Sequence, residues 1–180
     1  YLDLVSMDSL APDIEIAWKV IRYKTAKYTF ERPLQLGARL AGANNDQLDA
    51  LSAYSIPLGE AFQLRDDLLG VFGNPATTGK SALDDLREGK ITVLVATAYR
   101  LATPAEARRL DAHLGNPRLD DKGADECRDI FTSTGAAASV ERMITERLAK
   151  AMDSLENGPL RPSIIPVLRA LASVAANRVE

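Results

Sequence analysis

Two aspartates, Asp66 and Asp67, stand side by side near the end of a long apolar run, with Gln63 just before them. On a helix, Gln63 lies three residues before Asp66 and four before Asp67, so all three fall on one side. Carboxylates near a helix C-terminus oppose its macrodipole at a cost of about 0.3–1 kcal/mol. Adjacent like charges in apolar surroundings also need a counter-charge. A divalent cation is one candidate, because Mg2+ takes oxygen ligands and is commonly held by one or two carboxylates plus phosphate oxygens. An ordinary ion pair is the other. Downstream, "GNPATTGKS" at Gly73–Ser81 is a polar loop carrying Lys80, and Lys90 follows it. Two lysines close behind a paired-aspartate helix could share one polyanion with a metal. Upstream, "RYKTAKYTF" places Lys24 and Thr25 on a largely apolar helix. The lysine stem can simply run out to water while Thr25 packs. Alternatively, two facing helices bring Lys24 and Thr25 opposite Gln63 and Asp66.

The loop imitates a nucleotide-binding P-loop. Its two glycines are separated by five residues where that motif requires four. No strand–helix–strand unit surrounds it. Phosphate chemistry fits the ingredients; the P-loop fold does not.

The elements that must position these residues are helical. Period-2 alternation is nearly absent, and apolar residues recur at helical spacing. Ile14, Ala17, Trp18, Ile21 and Thr25 form one face of a helix from Asp13 to Lys27. A second helix starts at Pro33 and stops at Gly42. The stretch from Asn44 to Phe72 begins with an Asn/Asp cap region and is then apolar on most sides, as befits the middle of a bundle, and Pro57 should kink or split it. "KITVLVATAYRLA" reads as a buried helix, although its β-branched residues also permit a strand. Thr103-Pro104 restarts a helix with Thr103 as cap. Gly123–Asn157 is amphipathic, "NGPLRP" interrupts, and a last helix covers Ser163–Arg178. Asp120-Asp121, flanked by Gly and Pro, reads as a cap or a solvated pair. The expectation is an all-α chain of one domain, 1–180, with about eight helices.

Bulk properties exclude other classes. The 180 residues carry a net charge of −3, so no global nucleic-acid footprint is expected. One cysteine, Cys127, and one histidine, His113, rule out an internal disulfide and a His/Cys zinc site. No apolar run approaches the roughly 20 residues of a membrane span. The composition suits a reducing cytoplasm. A targeting segment ahead of Tyr1 would be invisible. Trp18 reads as core, Cys127 as unreactive, and His113 as a surface residue with no acid–base partner nearby in sequence.

Four ordered stretches together resemble the C-terminal half of the trans-polyprenyl diphosphate synthases, the farnesyl and geranylgeranyl diphosphate synthase family. "KTA" at Lys24–Ala26 resembles its diphosphate-binding Lys-Thr pair. "GEAFQLRDDLLG" resembles its second aspartate-rich motif, G-x-A-F-Q-x-x-D-D-x-L-D. "GNPATTGK" and "DDLREGKIT" resemble the G-D-x-x-x-x-G-K and D-x-x-x-G-K-x-T stretches that follow. The resemblance runs from Tyr1 to about Leu101. It implies an isoprenoid-synthase-type helical bundle, usually a homodimer. It also implies a Mg2+-dependent condensation of an allylic diphosphate with isopentenyl diphosphate. On that pattern Asp66 and Asp67 hold metal, and Asp85 supports them from outside. Lys24, Thr25, Gln63, Lys80 and Lys90 hold the allylic diphosphate, with Lys24, Asp66 and Lys80 acting in catalysis. Two positions depart: Gly70 and Asn74 stand where the pattern has aspartates. The first aspartate-rich motif is not in this sequence, so the 180 residues alone are expected to be inactive. The alternatives are a non-catalytic partner subunit or isoprenoid-diphosphate-binding bundle, and, further off, a class I terpene cyclase.

Overall fold

A computed structural model of the chain describes residues 12–74 and 83–176. Every described element is helical, and no strand occurs among the described residues. Helix α1 spans Ile14–Val20 and runs directly into a π-helical segment, Ile21–Glu31. Helix α2 is Arg32–Leu40, α3 is Asn45–Phe72, and α4 is the single turn Asp84–Arg87. Then come α5 (Val93–Leu101), α6 (Pro104–His113), α7 (Asp121–Ser133), α8 (Ala136–Asn157) and α9 (Ile165–Ala176). The chain divides into two compact units. The described residues of one lie within 12–18 and 66–141, those of the other within 19–65 and 142–176.

In the second unit the core forms where α3, α8 and α9 meet. Leu51, Tyr54 and Leu58 from α3 pack with Ala151 and Leu155 from α8 and with Leu168, Ala172 and Ala175 from α9. Each fully buried large apolar side chain contributes about 1.5–3 kcal/mol. The Tyr54 hydroxyl, inside this cluster, donates to the Leu168 carbonyl at 2.6 Å. Burial pushes its pKa up to about 12. In the first unit α5 is buried along Val93–Ala98. Its neighbours include α7, whose Cys127, Ile130 and Phe131 are buried. Burial pushes the Cys127 thiol up to about 11, so it is no nucleophile at neutral pH, in line with its expected inertness.

Local signals explain most boundaries. Thr103 caps α6 in a capping box with Glu106. Asp120 caps α7 by accepting from the Gly123 amide at 2.9 Å, which settles the role of that acidic pair's first member. Thr92 caps α5, and the strand alternative for this stretch falls away. Gly42 (φ 80°) follows α2 and Gly135 (φ 77°) separates α7 from α8, positions that favour glycine.

The structure refines three expectations. Of the two outcomes expected at Pro57, a kink or a split, the split does not occur: α3 is one helix of 28 residues. Buried neighbours on the same helix, Tyr54, Leu58 and Ala61, bind it into the core strongly enough to outweigh about 3 kcal/mol of proline penalty. The expected helix from Asp13 to Lys27 changes geometry at Ile21. Buried residues there recur at four and five: Ile21, Thr25 and Ala26, then Glu31. The Arg32 amide bonds the Lys27 carbonyl, five residues back, as π geometry requires. His113, without a partner nearby in sequence, gains one in space: its Nε2 lies 3.0 Å from Glu126 Oε2, 13 residues on.

Candidate functional site

The π segment and α3 meet through a glycine. A Cβ on Gly59 would stand 2.5 Å from the Ala26 Cα and 3.0 Å from the Phe30 ring. Only a residue without a side chain allows that approach. Phe30 and Phe62 lock the same contact, ring centroids 5.3 Å apart and tilted by 59°. Four residues beyond Gly59, Gln63 faces the π segment. Thr25 donates its Oγ1 proton to Gln63 Oε1 at 2.6 Å. Thr25 is buried, whereas Lys24 beside it is exposed. The structure thus joins two of the sequence-predicted residues, Thr25 and Gln63, directly.

Three residues before Gln63 on α3 stands a carboxylate that the motif pattern does not single out. Glu60 has a side chain only 3% exposed and takes two arginines. Arg22 approaches Glu60 Oε1 with Nε at 3.0 Å and Nη2 at 2.8 Å. Arg147 of α8 approaches Oε2 with Nε at 2.6 Å. The cluster ties the π segment, α3 and α8 together. A charged residue inside an apolar run was its one signal in the sequence; the arginine partners, 38 and 87 residues away, had none.

The aspartate pair sits in the last turns of α3. Asp67 is buried and Asp66 half-buried. Lys90 Nζ lies 3.1 Å from Asp67 Oδ1 and 3.6 Å from Asp85 Oδ2. Burial lowers the Lys90 pKa, but the charges of Asp67 and Asp85, the hydrogen bond to Asp67 and the charge of Asp66 outweigh it, and the net shift is upward. The Asp85 carboxylate also fills the space in front of Gly70, where any Cβ would collide with it. At the C-terminal end of α3, Arg128 donates from Nε to the Val71 carbonyl at 2.7 Å. That contact satisfies a last-turn carbonyl and sets positive charge at the negative end of the helix dipole.

Lys90 is aimed by its surroundings. Gly89 (φ 64°) and Gly115 (φ 76°) lie back to back, since a Cβ on Gly89 would stand 2.9 Å from the Gly115 Cα. The Gly115 amide bonds the Leu86 carbonyl at 2.9 Å, and the Arg87 guanidinium grips the Leu119 carbonyl at 3.1 and 2.7 Å. The Lys90 amide itself bonds the Asp85 carbonyl at 3.2 Å. Lys80 lies outside the described residues.

The donor chemistry around Asp67 suits a hard cation. The acceptors are carboxylate oxygens, and a lysine ammonium already supplies positive charge to them. Among the described residues, no group of three or more His, Cys, Asp or Glu side chains could hold a metal ion by itself. A metal here would need further oxygens from a ligand.

Comparison with known proteins places the chain in a family. The family model described as Polyprenyl synthetase matches residues 1–131. Farnesyl pyrophosphate synthase of Candida albicans is 31% identical over 164 residues, covering 86% of this chain and 46% of that protein. Geranylgeranyl diphosphate synthase of Saccharolobus solfataricus is 35% identical over 113 residues, covering 63% of this chain and 34% of that one. Among solved structures, geranylgeranyl pyrophosphate synthase of Corynebacterium glutamicum, complexed with isoprenyl diphosphate and magnesium, superposes with a TM-score of 0.92. It is 40% identical, and the match covers 98% of this chain and 50% of that one. The chain therefore spans between about a third and a half of the length of these relatives. The all-α isoprenoid-synthase fold is shared, and this chain belongs to the polyprenyl synthetase family.

Proposed function

We propose that the chain supplies a diphosphate- and metal-binding part of a Mg2+-dependent prenyltransferase. That enzyme condenses an allylic diphosphate with isopentenyl diphosphate into a longer polyprenyl diphosphate. The observation that carries this reading is the Lys90 ammonium lying against Asp67 and Asp85 at the end of the aspartate-motif helix. A cation-hungry carboxylate group and a flexible lysine side chain beside it are the parts a metal-diphosphate site needs.

In this reading Asp66 and Asp67 would hold Mg2+, and Asp85, paired with Lys90 in the structure, stands beside them. Thr25 and Gln63, already bonded to each other, present polar atoms to a diphosphate, and Lys24, Lys80 and Lys90 present charge. Ionisation of an allylic diphosphate leaves negative charge on the departing group, which fixed cations stabilise as it develops. Bound Mg2+ would add Lewis-acid neutralisation of the same charge. Lys24, Asp66 and Lys80 are assigned to that step. The working protein is proposed to be a cytoplasmic homodimer; among the described residues, no helix is long and apolar enough to cross a membrane.

The test is product formation. With Mg2+ and both diphosphates, the 180-residue chain alone is expected to yield no elongated product. A longer polypeptide that adds a first aspartate-rich motif is expected to yield it. Robust elongation by the 180 residues alone, or none by the longer polypeptide, contradicts the proposal; the second result points to a non-catalytic partner subunit.

A further inference from the structure

Lys90 has one fixed end and one movable end. Its backbone is pinned by the Gly89–Gly115 contact and by the amide bond to Asp85. Its head is a point charge on a flexible four-carbon stem. The two ends of the ion pair also differ in their surroundings: the Asp67 side chain is 2% exposed and that of Lys90 is 37% exposed. The carboxylate is enclosed, while the ammonium lies at a solvent edge.

A hard divalent cation would compete with that ammonium for the oxygens of Asp67 and Asp85. A diphosphate would compete with those carboxylates for the ammonium. Metal alone would have to expel Lys90 and would still find fewer than three clustered protein ligands among the described residues. Metal and diphosphate together remove both obstacles.

We propose that Lys90 is an exchangeable resident cation. It bridges Asp67 and Asp85, and it yields them to a divalent metal when a diphosphate takes its ammonium. This rests on the reading of the site given above. Its consequence is reciprocal coupling: each ligand strengthens the binding of the other by the same factor.

The experiment is Mn2+ binding, followed by electron paramagnetic resonance, to the 180-residue chain and to Lys90→Gln, each with and without inorganic pyrophosphate. The wild type is expected to bind Mn2+ weakly alone and about tenfold more tightly with pyrophosphate. Lys90→Gln is expected to bind Mn2+ alone about tenfold more tightly than the wild type does, and to lose most of the pyrophosphate enhancement. If the variant unfolds because buried Asp67 has lost its counter-charge, millimolar Mn2+ should refold it, as read by circular dichroism. A folded Lys90→Gln that binds Mn2+ no more tightly than the wild type overturns the proposal, and so does an unfolded one that Mn2+ cannot refold. A wild type that fails to bind Mn2+ even with pyrophosphate sinks the reading of the site instead, while the variant's Mn2+ response still decides the exchange.

Discussion

Gly59→Ala is expected to destabilise the protein by about 2 kcal/mol, although alanine is the better helix former. The propensity gain is at most about 1 kcal/mol. Against it stands a methyl group placed 2.5 Å from a backbone atom, the Ala26 Cα. Backbone cannot swing aside as a side-chain end can, so the π segment must back away from α3, and overpacking of this kind costs about 1–3 kcal/mol or more. The displaced contact lies one helical turn from Gln63, so the 2.6 Å bond from Thr25 should lengthen or break as well. Urea unfolding reads the loss as a lower midpoint at an unchanged slope. Gly37→Ala is the control. Nothing lies within 4 Å of a Cβ there, so it should be neutral or stabilising by up to about 1 kcal/mol. Equal stability of Gly59→Ala and Gly37→Ala would show that the close approach is not a constraint.

The second large effect belongs to Glu60. Replacing both Arg22 and Arg147 with Met leaves a carboxylate 3% exposed without its two counter-charges. Breaking a buried ion cluster from one side costs about 3–5 kcal/mol. Replacing all three residues with Met should cost less than the double change, because no buried charge is then stranded. Glu60→Met alone leaves two guanidiniums, Arg22 and Arg147, on side chains 51% and 29% exposed, which water reaches far more readily than the 3% exposed Glu60, so it should be milder than the arginine pair. Chemical denaturation of the three variants orders them. A double variant as stable as the triple would mean that Glu60 does not depend on its arginines.

Much of this architecture is legible in the sequence alone. Helical periodicity, the Thr103 cap and the Asp120 cap are local signals, and each stands where its chemistry puts it. The aspartate pair on α3 and the two downstream lysines are legible as a charge problem: adjacent carboxylates in apolar surroundings need positive charge. The spacing cannot say which cation answers. Lys90 does so for Asp67, 23 residues later in sequence, through a turn built on Gly89 and Gly115. The π geometry of Ile21–Glu31 has no local signature, and the close contact it makes is with Gly59, 33 residues beyond Ala26. At Pro57 the expected alternatives are a kink or a split, and core burial on both sides of the proline holds the helix continuous. Gly70 looks like a lost carboxylate in the sequence. In space, Asp85 fills the room that the missing side chain leaves.

A chain built this way should bind a diphosphate through a bridging divalent ion. Calorimetric titration of the 180 residues with an allylic diphosphate, once with Mg2+ and once with excess EDTA, tests that most directly. Saturable binding that requires Mg2+ and is lost in Asp66→Ala is the predicted result. Binding of equal strength in EDTA, or none with Mg2+ present, would contradict it.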